Sequence, residues 1–230
     1  MKKHLLKATA ALLILACLCS CGCTREIRPS EASDATVVED KEAETVTFGT
    51  VNDNTYTNDW LDMTFSLPKR CRYLTYEEMM GDVDDNQSVI VNNAELPNKK
   101  MFRGTYGTYF DVAMYDNKNV CFFKMYFEDV VLTVTEIISA ENYIGNIRDH
   151  ITEYENYELA YGEITDVEIA GKIFKTLPVS VGENITVTYY VTNVDNMIVV
   201  MITTEYKYQS VDVQSFIESI KQLDVPADPE

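Results

Sequence analysis

The chain has 230 residues, 37 acidic and 19 basic, with a formal net charge of −18. So acidic a balance leaves no basic footprint for a phosphate backbone, which excludes a nucleic-acid binder. Nor is there a basic amphipathic stretch of the kind that settles on anionic lipid.

The chain opens with Met1-Lys2-Lys3-His4-Leu5-Leu6-Lys7 and continues as an apolar run from Ala8 to Leu18, with alternating Cys17, Cys19, Cys21 and Cys23 at its end. A basic n-region, a short apolar h-region and small residues before a cut make the pattern of a bacterial secretory signal. The charge-free run from Ala8 to Thr24 is shorter than the roughly 20 apolar residues of a membrane span. A cysteine at the cut resembles the lipoprotein processing site. Leu18-Cys19-Ser20-Cys21 puts Leu at −3 and Ser at −1, with Gly22 following. Ile14-Leu15-Ala16-Cys17 also fits, with a shorter h-region. Cys21 is therefore the expected lipidation site and Cys17 the alternative, with residues 1–20 removed as a signal peptide. Two or more lipid chains, at about 0.8 kcal/mol per buried CH₂, anchor a protein stably. The expected location is the cell membrane, on its extracytoplasmic face.

Processing removes Lys2, Lys3 and Lys7, leaving 16 basic residues against 37 acidic ones and a net charge near −21. Acid in that excess keeps an exposed domain soluble and monomeric. Residues 21–54 hold Glu26, Glu31, Asp34, Glu39, Asp40, Glu42, Glu44 and Asp53 with few bulky apolar side chains. Such a segment is expected to be a disordered, flexible linker. About 30 residues of it would reach roughly 30 Å. Residues 55–225 are expected to form one domain. About 170 residues suffice to bury roughly 70% of the unfolded surface.

Within that domain, Leu61, Met63, Phe65 and Leu67 alternate with Asp62, Thr64 and Ser66, predicting a half-buried strand stopped by Pro68. Thr75-Tyr76-Glu77-Glu78 has capping-box spacing and predicts a short helix. Residues 82–105 read as irregular. Phe110, Val112 and Met114 alternate with Asp111 and Ala113, and Asp116-Asn117-Lys118-Asn119 turns the chain into a second strand, Val120 to Phe127. Thr133-Val134-Thr135-Glu136 reads as another capping box. Behind it Ile137, Ala140, Ile144, Ile147 and Ile151 form one apolar stripe, predicting a helix of about five turns. Val167 and Ile169 lead through the turn Ala170-Gly171 to Ile173-Phe174. Ile185, Val187, Tyr189 and Val191 alternate with threonines, and Asp195-Asn196 is the next turn. Met197 to Ile202 is continuously apolar, as in a central strand covered on both faces. Ser210 is expected to cap a last helix with Val213, Phe216, Ile217 and Ile220 on its buried stripe. Strands joined by tight turns, with few βαβ units, indicate an α+β fold with an antiparallel sheet.

No catalytic, cofactor-binding or metal-binding residues are assigned. The mature chain has one histidine, His150, at the polar end of the long helix. Triad or Cys-His chemistry would need it beside a nucleophile, and Cys71 is the one plausible thiol. Cys71 lies between Arg70 and Arg72, which would lower its pKa if it were exposed. Cys121, on a face with Phe123, Met125 and Phe127, reads as a small buried apolar residue. An extracytoplasmic setting permits a Cys71–Cys121 disulfide, but two free thiols are the expected state. Asp82, Asp84 and Asn86 match positions 1, 3 and 5 of an EF-hand loop, yet Gln87 stands where Gly belongs and Asn93 where Glu belongs. A polar loop after a helix is the better reading. No GxGxxG, GxxxxGK[ST] or GxSxG is present.

The run Tyr56-Thr57-Asn58-Asp59-Trp60-Leu61-Asp62-Met63-Thr64-Phe65-Ser66-Leu67-Pro68 resembles the opening of a group of bacterial lipoproteins with a PsbP-like fold. Thr75 to Met80 fits their Glu-rich helix. Ile169-Ala170-Gly171-Lys172 and Phe216-Ile217-Glu218-Ser219-Ile220-Lys221 fit their end, so the resemblance spans about 55–223. Lys69-Arg70-Cys71 departs from it, because an acidic residue or Gly followed by Trp is usual after the Pro. The resemblance implies a single PsbP-like domain, an antiparallel β-sheet flanked by helices, that binds or assembles and carries no catalytic residues to transfer. The expectation is a membrane-anchored extracytoplasmic lipoprotein, not an enzyme, without cofactor, that binds or assembles with an envelope protein or a ligand. The alternatives are a carboxylate-dependent hydrolase and a calcium- or small-ligand-binding lipoprotein.

Overall fold

The computed structural model describes residues 47–81, 89–91, 108–129, 138–151 and 158–223, all within the unit Val46–Glu230. The signal segment with Cys17 and Cys21, the linker up to residue 46 and the Asp82–Asn86 loop lie outside these residues. In chain order the elements are β1 (Thr50–Asn52), β2 (Thr55–Asn58), β3 (Met63–Ser66), β4 (Arg72–Tyr73) and α1 (Tyr76–Gly81). Then come β5 (Val89–Val91), β6 (Thr108–Tyr115), β7 (Cys121–Asp129) and α2 (Ala140–Ile151). They end with β8 (Leu159–Tyr161), β9 (Thr165–Ile169), β10 (Lys172–Val181), β11 (Ile185–Val194), β12 (Met197–Tyr206) and α3 (Val213–Glu218).

The large sheet runs β4-β6-β7-β12-β11-β10-β8, with β5 beside β6 and β9 beside β10. All pairs are antiparallel except β5 with β6. β12 sits in the middle, and Met197 to Thr204 are all buried. The unbroken apolar run expected of a strand covered on both faces is thus explained by its place. Both outer strands are edged by two short ones: β4 and β5 on β6, β8 and β9 on β10. Short edge strands offer little template for further pairing. Tight turns set the register. Ala170 and Gly171 both take positive φ (49° and 72°), as a two-residue primed turn requires. Asp195 does the same in the turn between β11 and β12 (φ 53°).

The large sheet is covered on both faces. Side chains directly opposite on paired strands share a face. Met125 faces Met201, which faces Tyr190, and all three belong to the core cluster with Phe65 of β3 and Phe216 of α3. The small sheet β1-β2-β3 and α3 therefore lie on this face. Phe65 stacks on Tyr56 (4.5 Å between centroids) and meets Phe123 and Phe216 edge-on, both at 5.5 Å. Thr64 and Lys221 exchange backbone bonds of 2.8 and 2.9 Å, tying β3 to the chain after α3. The opposite face carries Tyr126, Val200 and Val191 in one row. There α2 docks, with the Ala140 N–H donating to Asn193 Oδ1 at 2.6 Å.

Several local expectations hold and several are corrected. The Thr75 capping box is reciprocal: Glu78 N–H donates to Thr75 Oγ1 (3.3 Å) and Thr75 N–H to Glu78 Oε2 (3.0 Å). The long helix does not continue through residues 138–139. It starts at Ala140, and Ser139 caps it by accepting from Asn142 N–H at 3.2 Å. A hydroxyl next to the first turn satisfies an orphan donor whichever upstream spacing looks box-like. Thr133–Ile137 lie outside the described residues. Replacing Ser139 with alanine should therefore cost about 1 kcal/mol. Urea unfolding with no change in midpoint would refute this cap. At α3 the cap is Asp212, not Ser210. Its Oδ1 accepts from Ser215 N–H at 3.0 Å, and that bond holds the carboxyl below its usual range. Ser210 instead donates to Asn117 Oδ1. Strand pairing reaches back to Thr50, so the boundary expected between 54 and 55 falls inside the small sheet.

The alternation expected in β6 breaks at a bulge. Phe110 is opposite Tyr126 but Val112 is opposite Met125, leaving Asp111 as the extra residue. Phe110 and Val112 therefore face opposite sides. Asp111, expected to point outward, is 2% exposed. A bulge inserts one residue and re-aims the side chain it carries.

Candidate functional site

Of the residues singled out for chemistry, Cys71 and Cys121 are free thiols. Arg72 and Cys121 are both opposite Tyr115, so the two cysteines lie on either side of β6. Two strand spacings of about 4.8 Å separate them by roughly 10 Å, beyond the ~7 Å limit for a disulfide. Burial, with Asp116 nearby, pushes the Cys71 thiol up. The lowering expected from Arg70 and Arg72 is thus outweighed, because Cys71 is half-buried rather than open to solvent. Cys121 is buried. His150 stands in the last turn of α2. Among the described residues no three His, Cys, Asp or Glu side chains gather as metal ligands.

The largest polar cluster was not legible in the sequence. The Tyr56 hydroxyl donates to Asp111 Oδ2, Gly49 N–H donates to Asp111 Oδ1 at 3.0 Å, and Asn58 Nδ2 donates to Tyr56 Oη and to Asp111 Oδ2 at 3.1 and 3.4 Å. Asn58 also reaches Thr47 O (3.1 Å), and its Oδ1 accepts from Leu61 N–H (2.9 Å). Tyr56, Asn58 and Asp111 are at most 2% exposed. Burial first, then Asp111, holds the Tyr56 phenol well above its ordinary range. A phenol that stays protonated and sealed from solvent has no way to meet a substrate. The cluster fastens the small sheet to β6. A Cβ at Gly49 would overlap the Tyr56 ring, so that position accepts only glycine.

Among the described residues, an exposed surface of unusual composition lies where three turns meet at one end of the large sheet. Pro68–Cys71 enters β4, Asp116–Asn119 joins β6 to β7, and Lys207–Ser210 follows β12. Lys118 Nζ donates to Tyr208 O (2.9 Å), and Ser210 Oγ bonds Asn117 Oδ1 (3.1 Å). Arg72 reaches Asn119 Oδ1 at 3.5 Å and sits 5.1 Å from the Tyr115 ring centroid. The turns expose Lys69, Arg70, Lys118 and Lys207, none of which pairs with a carboxylate among the described residues. Tyr208 is 77% exposed, with Lys207 Nζ 6.0 Å from its ring centroid. The single acid in these turns, Asp116, is 2% exposed and turns Oδ1 inward to Lys118 and Val120 N–H at 2.8 and 3.0 Å. Glu78 is engaged by Arg72 in a two-pronged pair (2.7 and 2.8 Å), and Glu205 and Asp212 flank the surface. On a chain with nearly twice as many acids as bases, this is a local reversal of charge around an open aromatic ring. Lys69-Arg70, where the sequence departs from the lipoprotein pattern, was the only signal for it.

No protein-family model matches the chain, and no curated protein matches it. Among solved structures, the chain is similar to the solution structure of cyanobacterial PsbP (CyanoP) from Synechocystis sp. PCC 6803. The two share 10% identity, with 81% of this chain and 99% of that one covered and a TM-score of 0.43. That neighbour is a PsbP protein; the sheet order and register above stand on their own.

Proposed function

We propose that this chain is a lipid-anchored, extracytoplasmic module of the PsbP-like lipoprotein kind that binds an envelope protein rather than catalysing a reaction. The supporting observation is the exposed Lys69, Arg70, Lys118, Lys207 and Tyr208 surface on an otherwise acidic chain. Aromatic and arginine side chains are enriched in protein interfaces, and scattered cations steer an acidic partner into register. The partner is a protein presenting an acidic face. Anchoring through Cys21 holds the domain at the membrane surface, where such a partner is met.

Two measurements test the reading. The mass of the N-terminal peptide should show lipid on Cys21, absent in Cys21→Ser and present in Cys17→Ser; the reverse pattern would move the anchor to Cys17. Crosslinking in native envelopes with the full-length lipidated protein should retrieve one reproducible partner. A variant carrying Lys69→Glu, Lys118→Glu, Lys207→Glu and Tyr208→Ala should melt like the parent yet retrieve none. Equal recovery by both would rule this surface out.

A further inference from the structure

Building on the acidic partner proposed above, we infer that Arg70 is the specificity-determining side chain of the cationic surface. It is a two-pronged donor for a partner carboxylate, carried at a position whose backbone suits glycine. The turn Pro68-Lys69-Arg70-Cys71 closes on a bond from Cys71 N–H to Pro68 O (3.1 Å). Arg70, its third residue, has φ 66°, while Lys69 has no positive φ. That is the pattern of a type II turn, whose third residue must be left-handed and is ordinarily Gly or Asn. An L side chain there brings its Cβ against the following carbonyl oxygen.

The other non-glycine residues at positive φ among the described residues have a local reason to be there. Asp53, Asp62, Asn119 and Asp195 carry short polar side chains that bond their own backbone and tolerate this region. Ala170 shares its turn with Gly171, and its methyl group is buried in the core cluster. Arg70 has neither reason. Its side chain is exposed and makes no hydrogen bond or ion pair among the described residues. A strained residue that nothing in the fold repays marks a position held for what its side chain does outside the fold.

The chemistry of the surroundings says what that is. Arg72, two residues on, already holds both oxygens of Glu78 (2.7 and 2.8 Å), the fork that a guanidinium offers a carboxylate. Asp116 turns Oδ1 to the Lys118 and Val120 N–H groups. Lys69, Lys118 and Lys207 are compact point charges that draw an acid in without fixing its orientation. A planar guanidinium presents parallel N–H groups to both carboxylate oxygens and so sets the register of the partner. Stability and affinity should therefore move in opposite directions at this one position.

Thermal melting and calorimetric titration with poly-L-glutamate at low salt, on the full-length protein in a neutral detergent, test this. Arg70→Gly should raise the melting midpoint by about 2–4 °C and weaken binding at least tenfold, as expected for a lost pair of charged hydrogen bonds. Arg70→Asn, without glycine's added freedom, should bind as poorly. Arg70→Lys keeps the charge and the strain but not the fork, and should weaken binding about fivefold. Lys118→Gln, which removes one point charge, should cost only about twofold. Parent-like binding by any of the three Arg70 variants overturns the fork, and a lower midpoint for Arg70→Gly overturns the strain behind it. If the variant carrying Lys69→Glu, Lys118→Glu, Lys207→Glu and Tyr208→Ala loses binding while Arg70→Gly keeps it, the fork falls alone. If neither loses binding, or the parent binds no poly-L-glutamate, the acidic-partner reading falls with it.

Discussion

Asp111→Ala is expected to destabilise the protein by about 3–5 kcal/mol. The carboxylate oxygens take the Tyr56 hydroxyl and the Gly49 N–H, both buried. Removing the acceptor orphans these two donors, each at a cost of about 1–3 kcal/mol, and leaves a void beside the Tyr56 ring. In a domain of this size about 1 kcal/mol corresponds to ~2–4 °C, so the midpoint should fall by on the order of 10 °C. Tyr56→Phe should cost less, because Asp111 keeps Gly49 N–H and Asn58 as donors. The two changes should not add: a double-mutant cycle is expected to show coupling of about 1 kcal/mol or more. An Asp111→Ala loss within about 0.5 kcal/mol, the scatter of ordinary surface substitutions, would mean that the cluster does not hold the two sheets together.

Phe65→Ala should be comparably severe, at about 3–5 kcal/mol. Phe65 is 2% exposed and its ring touches three elements: Tyr56 of β2, Phe123 of β7 and Phe216 of α3. Truncation loses the transfer energy of the ring, leaves a cavity, and removes aromatic pairings of about 0.5–1.5 kcal/mol each. Among the described residues Phe48 makes one ring contact, to Phe127 at 6.4 Å, and it is half-buried. Phe48→Ala should therefore cost clearly less. Chemical denaturation of both variants ranks them. Equal losses, or a Phe65→Ala loss below about 1.5 kcal/mol, would show that the small sheet is not packed as a layer on the large one.

The resemblance to PsbP-like lipoproteins rested on packing motifs, and those motifs fall on the layer interface. Tyr56 and Phe65 stack within the small sheet, Asn58 holds Leu61 N–H, and the Trp60 indole N–H donates to Asp195 Oδ2 at 2.7 Å. Polar residues in that run therefore serve as joints. Read as a strand pattern alone, Asn58 and Tyr56 look like solvent-side positions before a strand. Nothing nearby in sequence shows that Asp111, more than 50 positions away, arrives to meet them.

The sequence by itself determined whatever depends on a few consecutive residues. Thr75 and Glu78 cap each other across three positions. Ala170-Gly171 supplies the two positive φ angles of its turn. The apolar run from Met197 marks a strand with no solvent face. In each case propensity, turn chemistry or side-chain reach acts within one turn or one hairpin. The tertiary structure decided the rest. The bulge at Asp111 exists only relative to β7, because an extra residue has meaning only against a paired strand. Ser139 rather than an earlier box starts α2, because Asn193, 53 positions on, holds Ala140 N–H. The cationic surface likewise needs Lys118 and Tyr208, 90 positions apart, brought together by strand order. Local sequence sets which elements form, but which of their ends become neighbours is set by the burial of two sheet faces at once.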